Sequence, residues 1–227
     1  METLFDRACG LDVHKETIVA CVRIVDPGRT KARREVRTFA AHLKGLTEMR
    51  EWLAEQEVRA IAMEGTGIYW RPVYAVLEGG TQPWTLIVGN AQHIKNVPGR
   101  KTDVKDAEWL ADLVAHGLIF SSFIPPLKIR EARDVTRMRV KVIVDRTQAR
   151  NRVLKVLQLA GIKLDGVASD AFGKSGMSIL RRLAAGDATP QEMASLALGV
   201  LRKKIDALQL ALQSTFPAPH RSLLDFA

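Results

Sequence analysis

Short apolar runs organise the first half of the chain. Residues 8–13 and 17–25 are rich in β-branched side chains, and 35–39 alternates weakly behind a basic turn, which predicts three adjacent strands joined by tight connections. Leu43, Leu46, Met49 and Leu53 then recur at helical spacing, and an apolar run over 58–63 ends at Glu64-Gly-Thr-Gly, so helix, strand and turn are expected in that order. Thr66 reads as the N-cap of a helix that Gly79 and Gly80 end, and 85–88 as the next buried strand. After a basic loop holding Lys95, Arg100 and Lys101, the residues Ala107, Leu110, Ala111 and Val114 put an apolar stripe on a helix that Gly117 closes. Pro125-Pro126 marks a boundary, so two domains are expected, 1–126 and 127–227.

Beyond the prolines the pattern changes. Residues 128–160 contain no Gly or Pro, and Val135, Met138, Val142, Ala149, Val153, Val156 and Ala160 follow a 3.6-residue period, which predicts one long helix. A stretch from Gly166 to Gly176 separates it from a further helix that Thr189-Pro190-Gln191-Glu192 starts, a capping box with proline at the first helical position. Leu201, Ile205, Leu208 and Leu212 give that helix a narrow apolar seam suited to coiled-coil-like pairing, within the chain or with a second copy. The expected fold is therefore α/β, a mixed sheet with flanking helices as in ribonuclease H-like folds, followed by an all-α, coiled-coil-like segment.

Charge separates the two halves further. The net charge is +9, yet residues 1–126 hold 16 Lys/Arg against 16 Asp/Glu, while 127–227 hold 18 against 9. The excess lies wholly in the second half, and it points that half toward a polyanion. On the long helix, Arg130, Arg133, Arg137, Lys141, Arg152 and Lys155 form a ridge about 140° from the apolar stripe. A solvated surface is the plain alternative for such a ridge. Like charges one turn apart repel, however, and a face so poor in acidic partners favours phosphate contacts. Lys95, Arg100, Lys101 and Lys105 add basic groups in the first half, and the nucleic-acid-binding candidates comprise these four and the ridge.

Cys9 and Cys21 both lie in apolar runs and are expected as buried thiols. No apolar stretch reaches the ~20 residues of a membrane span, and residues 1–7 lack the pattern of a signal peptide. The expected location is the cytoplasm, at the DNA, with no membrane partner.

Four carboxylates carry the candidate chemistry. Asp12 interrupts Cys-Gly-Leu-Asp-Val, where an ionised group is costly without a cation; Glu64 ends another apolar run; Asp103 and Asp106 flank a helix start. In the expected fold the strands of Asp12 and Glu64 lie side by side, with that helix packed across the sheet near their ends, so the four can converge and suit Mg²⁺, or Mn²⁺ in its place, which favours carboxylates together with phosphate oxygens. Each has an alternative: Asp103 and Asp106 as N-cap and N3 partner, Glu64 as a strand-end residue, Asp12 as a buried hydrogen-bonded group. His14 reads as a half-exposed side chain and stays outside the site, and Glu64-Gly-Thr-Gly lacks the Lys and spacing of a phosphate loop.

With these residues in view the chain resembles the DEDD transposases of bacterial insertion sequences, the family typified by insertion sequence one-hundred-and-ten and related to pilin-gene DNA invertases. The segments that carry the likeness are Gly10-Leu-Asp-Val-His-Lys-Glu, Met63-Glu-Gly-Thr-Gly-Ile-Tyr-Trp, Lys101-Thr-Asp-Val-Lys-Asp-Ala-Glu and Ser169-Asp-Ala-Phe-Gly-Lys-Ser-Gly. The resemblance implies a RuvC-like domain in which Asp12, Glu64, Asp103 and Asp106 hold Mg²⁺, a coiled-coil region that makes a homodimer or higher homo-oligomer, and a structured guide RNA acting alongside DNA. Members of that family continue into a domain with a nucleophilic serine, for which no counterpart is found before Ala227. The expectation is thus the N-terminal portion of a recombinase, as a truncated copy or a fragment. Two other functions stay open: a catalytically silent nucleic-acid-binding and dimerisation module, and a free-standing junction-type nuclease.

Overall fold

The computed structural model describes residues 3–29, 31–98, 105–213 and 222–223. It divides into two compact units, Met1–Pro125 and Pro126–Ala227.

The first unit is a five-stranded mixed sheet flanked by helices, a ribonuclease H-like α/β arrangement. Its strands are β1 (Arg7–Val13), β2 (Thr17–Ile24), β3 (Arg33–Ala40), β4 (Ala60–Glu64) and β5 (Thr85–Gly89), in the order β3-β2-β1-β4-β5. Antiparallel pairing joins β1, β2 and β3, whereas β4 lies parallel to β1 and β5 parallel to β4. The β1–β2 and β2–β3 connections are too short for a parallel crossover, and the parallel pairs need the crossovers that α1 (Leu43–Glu55) and α2 (Trp70–Glu78) supply.

Strand alternation gives the sheet two unlike faces. Cys9, Leu11, Ile61 and Met63 point to the side of α1 and α2, where they pack with Leu46, Met49, Leu53, Val73 and Leu77. The opposite face of the same strands carries small residues, Ala8, Gly10, Ala60 and Ala62, before it reaches Asp12 and Glu64. Upon this low face lies α4 (Asp106–Ala115), burying Ala107, Leu110, Ala111 and Val114. Where Gly10 stands, a Cβ would be 2.2 Å from the Ala107 carbonyl oxygen and 2.4 Å from the Ala111 nitrogen, so glycine alone admits the helix at this depth.

Polar contacts fix the same helix from its flank. Asp112 of α4 accepts from Arg23 Nε of β2 at 3.1 Å and from Arg34 of β3 at 2.8 and 2.7 Å. The Arg23 side chain is only 9% exposed, and its Nη1 has no hydrogen-bond partner among the described residues.

Several sequence expectations are corrected in this unit. Thr66 caps no helix: α2 begins at Trp70 with Tyr69 before it, and the Thr66 hydroxyl donates instead to the Glu64 carboxylate. The basic loop starts with a one-turn helix, α3 (Ala91–Lys95), capped by Asn90, whose side-chain oxygen accepts from the Gln92 amide at 2.8 Å. Asp106 is the first residue of α4 rather than its third, with Lys105 at the N-cap position and no side-chain capping bond there, which removes the capping-partner alternative for Asp106.

The second unit is all-α. Helix α5 runs over Leu127–Leu159, and of its 33 residues only Val156 and Leu157 are buried. Gly161, at φ 76°, turns the chain out of it. A small core then forms from Leu157, Ile162, Leu164, Ile179, Leu183, Leu208 and Leu212. Apart from Ile162, in the turn after α5, these come from the end of α5 and from α6 (Leu164–Val167), α7 (Lys174–Ala185) and α9 (Ile205–Leu212); α8 (Pro190–Ser195) adds Met193 and Ala194. The Thr189–Glu192 capping box is present as expected.

Two readings fail here. Helix α7 begins at Lys174, inside the Gly166–Gly176 stretch expected as a separator, and is an amphipathic helix that the glycines around its start obscured. The helix expected to run on from Thr189 breaks after Ser195, passes through a 3₁₀ segment at Gly199–Lys204 and resumes as α9. Leu208 and Leu212 are buried in the unit's own core, so that seam closes within the chain. The Ser169–Gly176 segment is structural: Asp170 Oδ1 accepts from the Phe172 amide, Ser175 Oγ accepts from the Leu198 amide, both at 2.9 Å, and a Cβ on Gly176 would lie 2.1 Å from the Ala171 carbonyl oxygen.

Candidate metal centre and nucleic-acid interface

In the parallel β1–β4 pair Leu11 is the partner of Met63, so Asp12 and Glu64 stand one step further, side by side at the carboxyl ends of their strands and on the α4 face. Crevices at this end of parallel strands are the usual ligand sites of α/β sheets. Here Asp12, His14, Glu64, Thr66, Lys95 and Asp106 line a cavity of about 270 Å³ together with apolar side chains of α3 and α4. Asp103, Arg100 and Lys101 lie outside the described residues.

Asp12 does not face a sealed interior. Its side chain is 27% exposed and opens into the cavity, with Oδ2 3.1 Å from His14 Nε2. Burial raises its pKa; His14 opposes that shift, while the charges of Asp106 and Glu64 reinforce it. The charges of Asp106 and Glu64 thus reach Asp12 across a common space. The Thr66 hydroxyl holds the Glu64 carboxylate from the following turn, and Lys95 brings one positive group to the same wall.

The donor set suits a hard cation: all carboxylate oxygen, with a lysine for an anionic substrate beside it. Among the described residues, however, no three His, Cys, Asp or Glu side chains are gathered tightly enough to surround a single ion. The carboxylates share a cavity without meeting at a point.

His14 and Thr66 belong to this site and were not assigned to it from sequence. For His14 a signal existed, since residues two apart at a strand end project to the same side, and Asp12 was already singled out. Thr66 gave none, because its N-cap role and its carboxylate contact look alike along the chain.

Of the remaining basic candidates, Lys105 is exposed beside Asp106. On α5, Arg133, Arg137, Lys141, Arg152 and Lys155 are exposed and Arg130 is half-buried. Arg133, Arg137 and Lys141 have no carboxylate partner among the described residues, which leaves their charge available to a polyanion. Arg152 and Lys155 join Gln148 and Asn151 around an open hollow of about 310 Å³. The apolar residues Val135, Met138 and Val142 are also exposed. Among the described residues no helix is long and apolar enough to cross a membrane.

No curated protein matches the chain. A family model described as transposase, of the IS110-type DEDD group, matches residues 9–162, a span that takes in Asp12, Glu64, Asp106 and all of α5. That match covers about two thirds of the 227 residues, and with the mixed sheet and its carboxylate cavity it settles the assignment: the chain belongs to the DEDD transposase family of insertion sequences.

Proposed function

We propose that the cavity at the carboxyl ends of β1 and β4 binds Mg²⁺, or Mn²⁺ in its place, through Asp12, Glu64 and Asp106, joined by Asp103, and serves phosphodiester chemistry on DNA. The observation that carries this reading is that carboxylates from β1, β4 and α4 face one space, with Asp12 held above its usual carboxylate range by burial and by the other two charges. A divalent cation bound there supplies charge neutralisation and Lewis-acid polarisation of a phosphodiester. His14 orients Asp12, Thr66 orients Glu64, and Lys95, with Arg100, Lys101 and Lys105, draws the DNA backbone toward the carboxylates. The exposed basic face of α5 binds nucleic acid, either the DNA or a structured guide RNA. Its exposed Val135, Met138 and Val142 support pairing with a second copy of the chain.

The test is calorimetric titration of Mg²⁺ and Mn²⁺ into the protein and into Asp12→Ala and Asp106→Ala. Both substitutions are expected to abolish binding, and unchanged affinity in both would remove the four-carboxylate site. The exposed Arg133, Arg137 and Lys141 support a second reading, a silent nucleic-acid-binding module. It requires salt-sensitive binding indifferent to metal. Branched DNA incubated with Mg²⁺ separates the two and also tests the junction-nuclease reading, since only a catalytic site nicks it.

A further inference from the structure

Beside the carboxylate cavity lies a second one, of about 420 Å³, within the range of small-molecule sites, ~300–1,000 Å³. Its floor is the buried pair Ile94 and Ile119, with Val97 and Leu118 on the sides. Gly89, at the end of β5, makes that floor possible: a Cβ there would stand 2.7 Å from both the Ile119 Cγ2 and the Ile94 Cδ1. Phe120 forms the lip, 82% exposed, and the amide side chains of Asn90 and Asn96 lie on the rim. Ile94 is shared by the two cavities, and Lys95, the next residue, faces the carboxylates. A single turn of helix therefore divides an acidic space from an apolar one.

This arrangement matches a nucleotide divided between its parts. A phosphate suits the Lys95 side, whereas a base, flat and apolar on its faces with hydrogen-bonding edges, suits an apolar floor, an exposed aromatic ring and rim amides. We propose that the Ile94–Ile119 cavity receives one unstacked base of the DNA strand whose backbone enters the carboxylate cavity, with Phe120 as its stacking platform. The proposal rests on reading the carboxylate cavity as the place of the DNA backbone. A transposase must distinguish a strand at a branch or an end from intact duplex, and a cavity open only to an unstacked base does so without reading sequence.

The experiment is a binding cycle with the full chain and a branched DNA in which a single abasic site is moved nucleotide by nucleotide past the branch, measured in EDTA and again in Mg²⁺. At one position, loss of the base is expected to weaken binding about tenfold, and Phe120→Ala to weaken binding of intact DNA by a like factor. Combined, the two changes are expected to cost no more than either alone. Phe120→Trp keeps the affinity, and Phe123→Ala, at an equally exposed aromatic outside the cavity, leaves the abasic effect unaltered. Additive losses, or an abasic scan indifferent to Phe120 at every position, overturn the proposal. Metal titration of Asp12→Ala reports separately: lost Mg²⁺ binding with an additive cycle refutes the base cavity alone, and unchanged Mg²⁺ binding with a non-additive cycle refutes the metal reading alone.

Discussion

Gly10 of β1 and Ala107 of α4 meet where no side chain fits between them, since a Cβ on the glycine would stand 2.2 Å from the alanine's carbonyl oxygen. The contact lies two residues from Asp12 on the strand and one residue from Asp106 on the helix. The depth at which α4 seats on the sheet therefore sets the separation of the two carboxylates.

Gly10→Ala is expected to lift α4, because the obstructing atoms are backbone and cannot swing aside. Overpacking of this kind costs about 1–3 kcal/mol. Thermal unfolding should show a lowered Tm, and Mg²⁺ affinity should fall even at temperatures where the variant is fully folded. A folded variant with normal Mg²⁺ affinity would show that helix depth is irrelevant to the site.

Asp112→Ala tests the flank of the same helix. It leaves the Arg23 guanidinium buried without its carboxylate and frees Arg34. Breaking a buried pair from one side costs about 3–5 kcal/mol; the lower end applies here because the Asp112 side chain keeps 25% exposure. Denaturant melts measure the loss, and Asp112→Asn, which still accepts hydrogen bonds, should recover part of it.

Asp12 gives a pH-dependent signature. Its folded-state pKa is raised, chiefly by burial, so the native state holds that proton to higher pH than the unfolded chain does. The stability this contributes is complete below the ordinary aspartate value of 3.8 and is lost as pH rises through the raised value. At neutral pH without divalent ions, Asp12→Asn should accordingly melt higher than the parent protein, and the difference should vanish at acid pH. Adding Mg²⁺ should raise the Tm of the parent only, as binding to the native state alone requires. Melting curves with and without Mg²⁺ across that range decide the matter, and a variant that melts lower at neutral pH contradicts it.

The exposed basic face of α5 predicts a salt effect. Replacing Arg133, Arg137 and Lys141 together with Gln removes three positive groups and should flatten the slope of log affinity against log salt by roughly 3 for duplex DNA. Fluorescence anisotropy at several salt concentrations measures it. An unchanged slope would place the nucleic acid elsewhere.

The sheet and its order of elements were legible because each strand announces itself locally. Ala-Cys-Gly-Leu-Asp-Val and Ala-Ile-Ala-Met-Glu are short apolar runs with a carboxylate at or next to their ends, and Gly-Thr-Gly follows the second. The candidate carboxylates stood out for a related reason, since a charge inside such a run has few structural uses. What failed was finer. Thr66 was given the wrong partner, because a hydroxyl that accepts from a helix amide and a hydroxyl that donates to a carboxylate share one local sequence. α7 was overlooked because Gly173 and Gly176 suggest a loop, whereas Gly176 in fact allows close approach to Ala171. The last helix was drawn too long, since the spacing of Leu201 to Leu212 satisfies a helical period that the chain interrupts with a 3₁₀ turn at Gly199–Lys204.

Local pattern, then, determined which residues are strand or helix, which face of each is apolar and where the odd charges sit, because these depend on neighbours a few positions away. Only the assembled fold decided that Asp12 and Glu64 stand side by side, that α4 presses its first residue toward them across Ala and Gly, and that Ile94 and Ile119 enclose a second cavity next door. Such distances depend on how closely backbones from remote parts of the chain approach, and that closeness is a property of packing, set by the volume of every side chain between them.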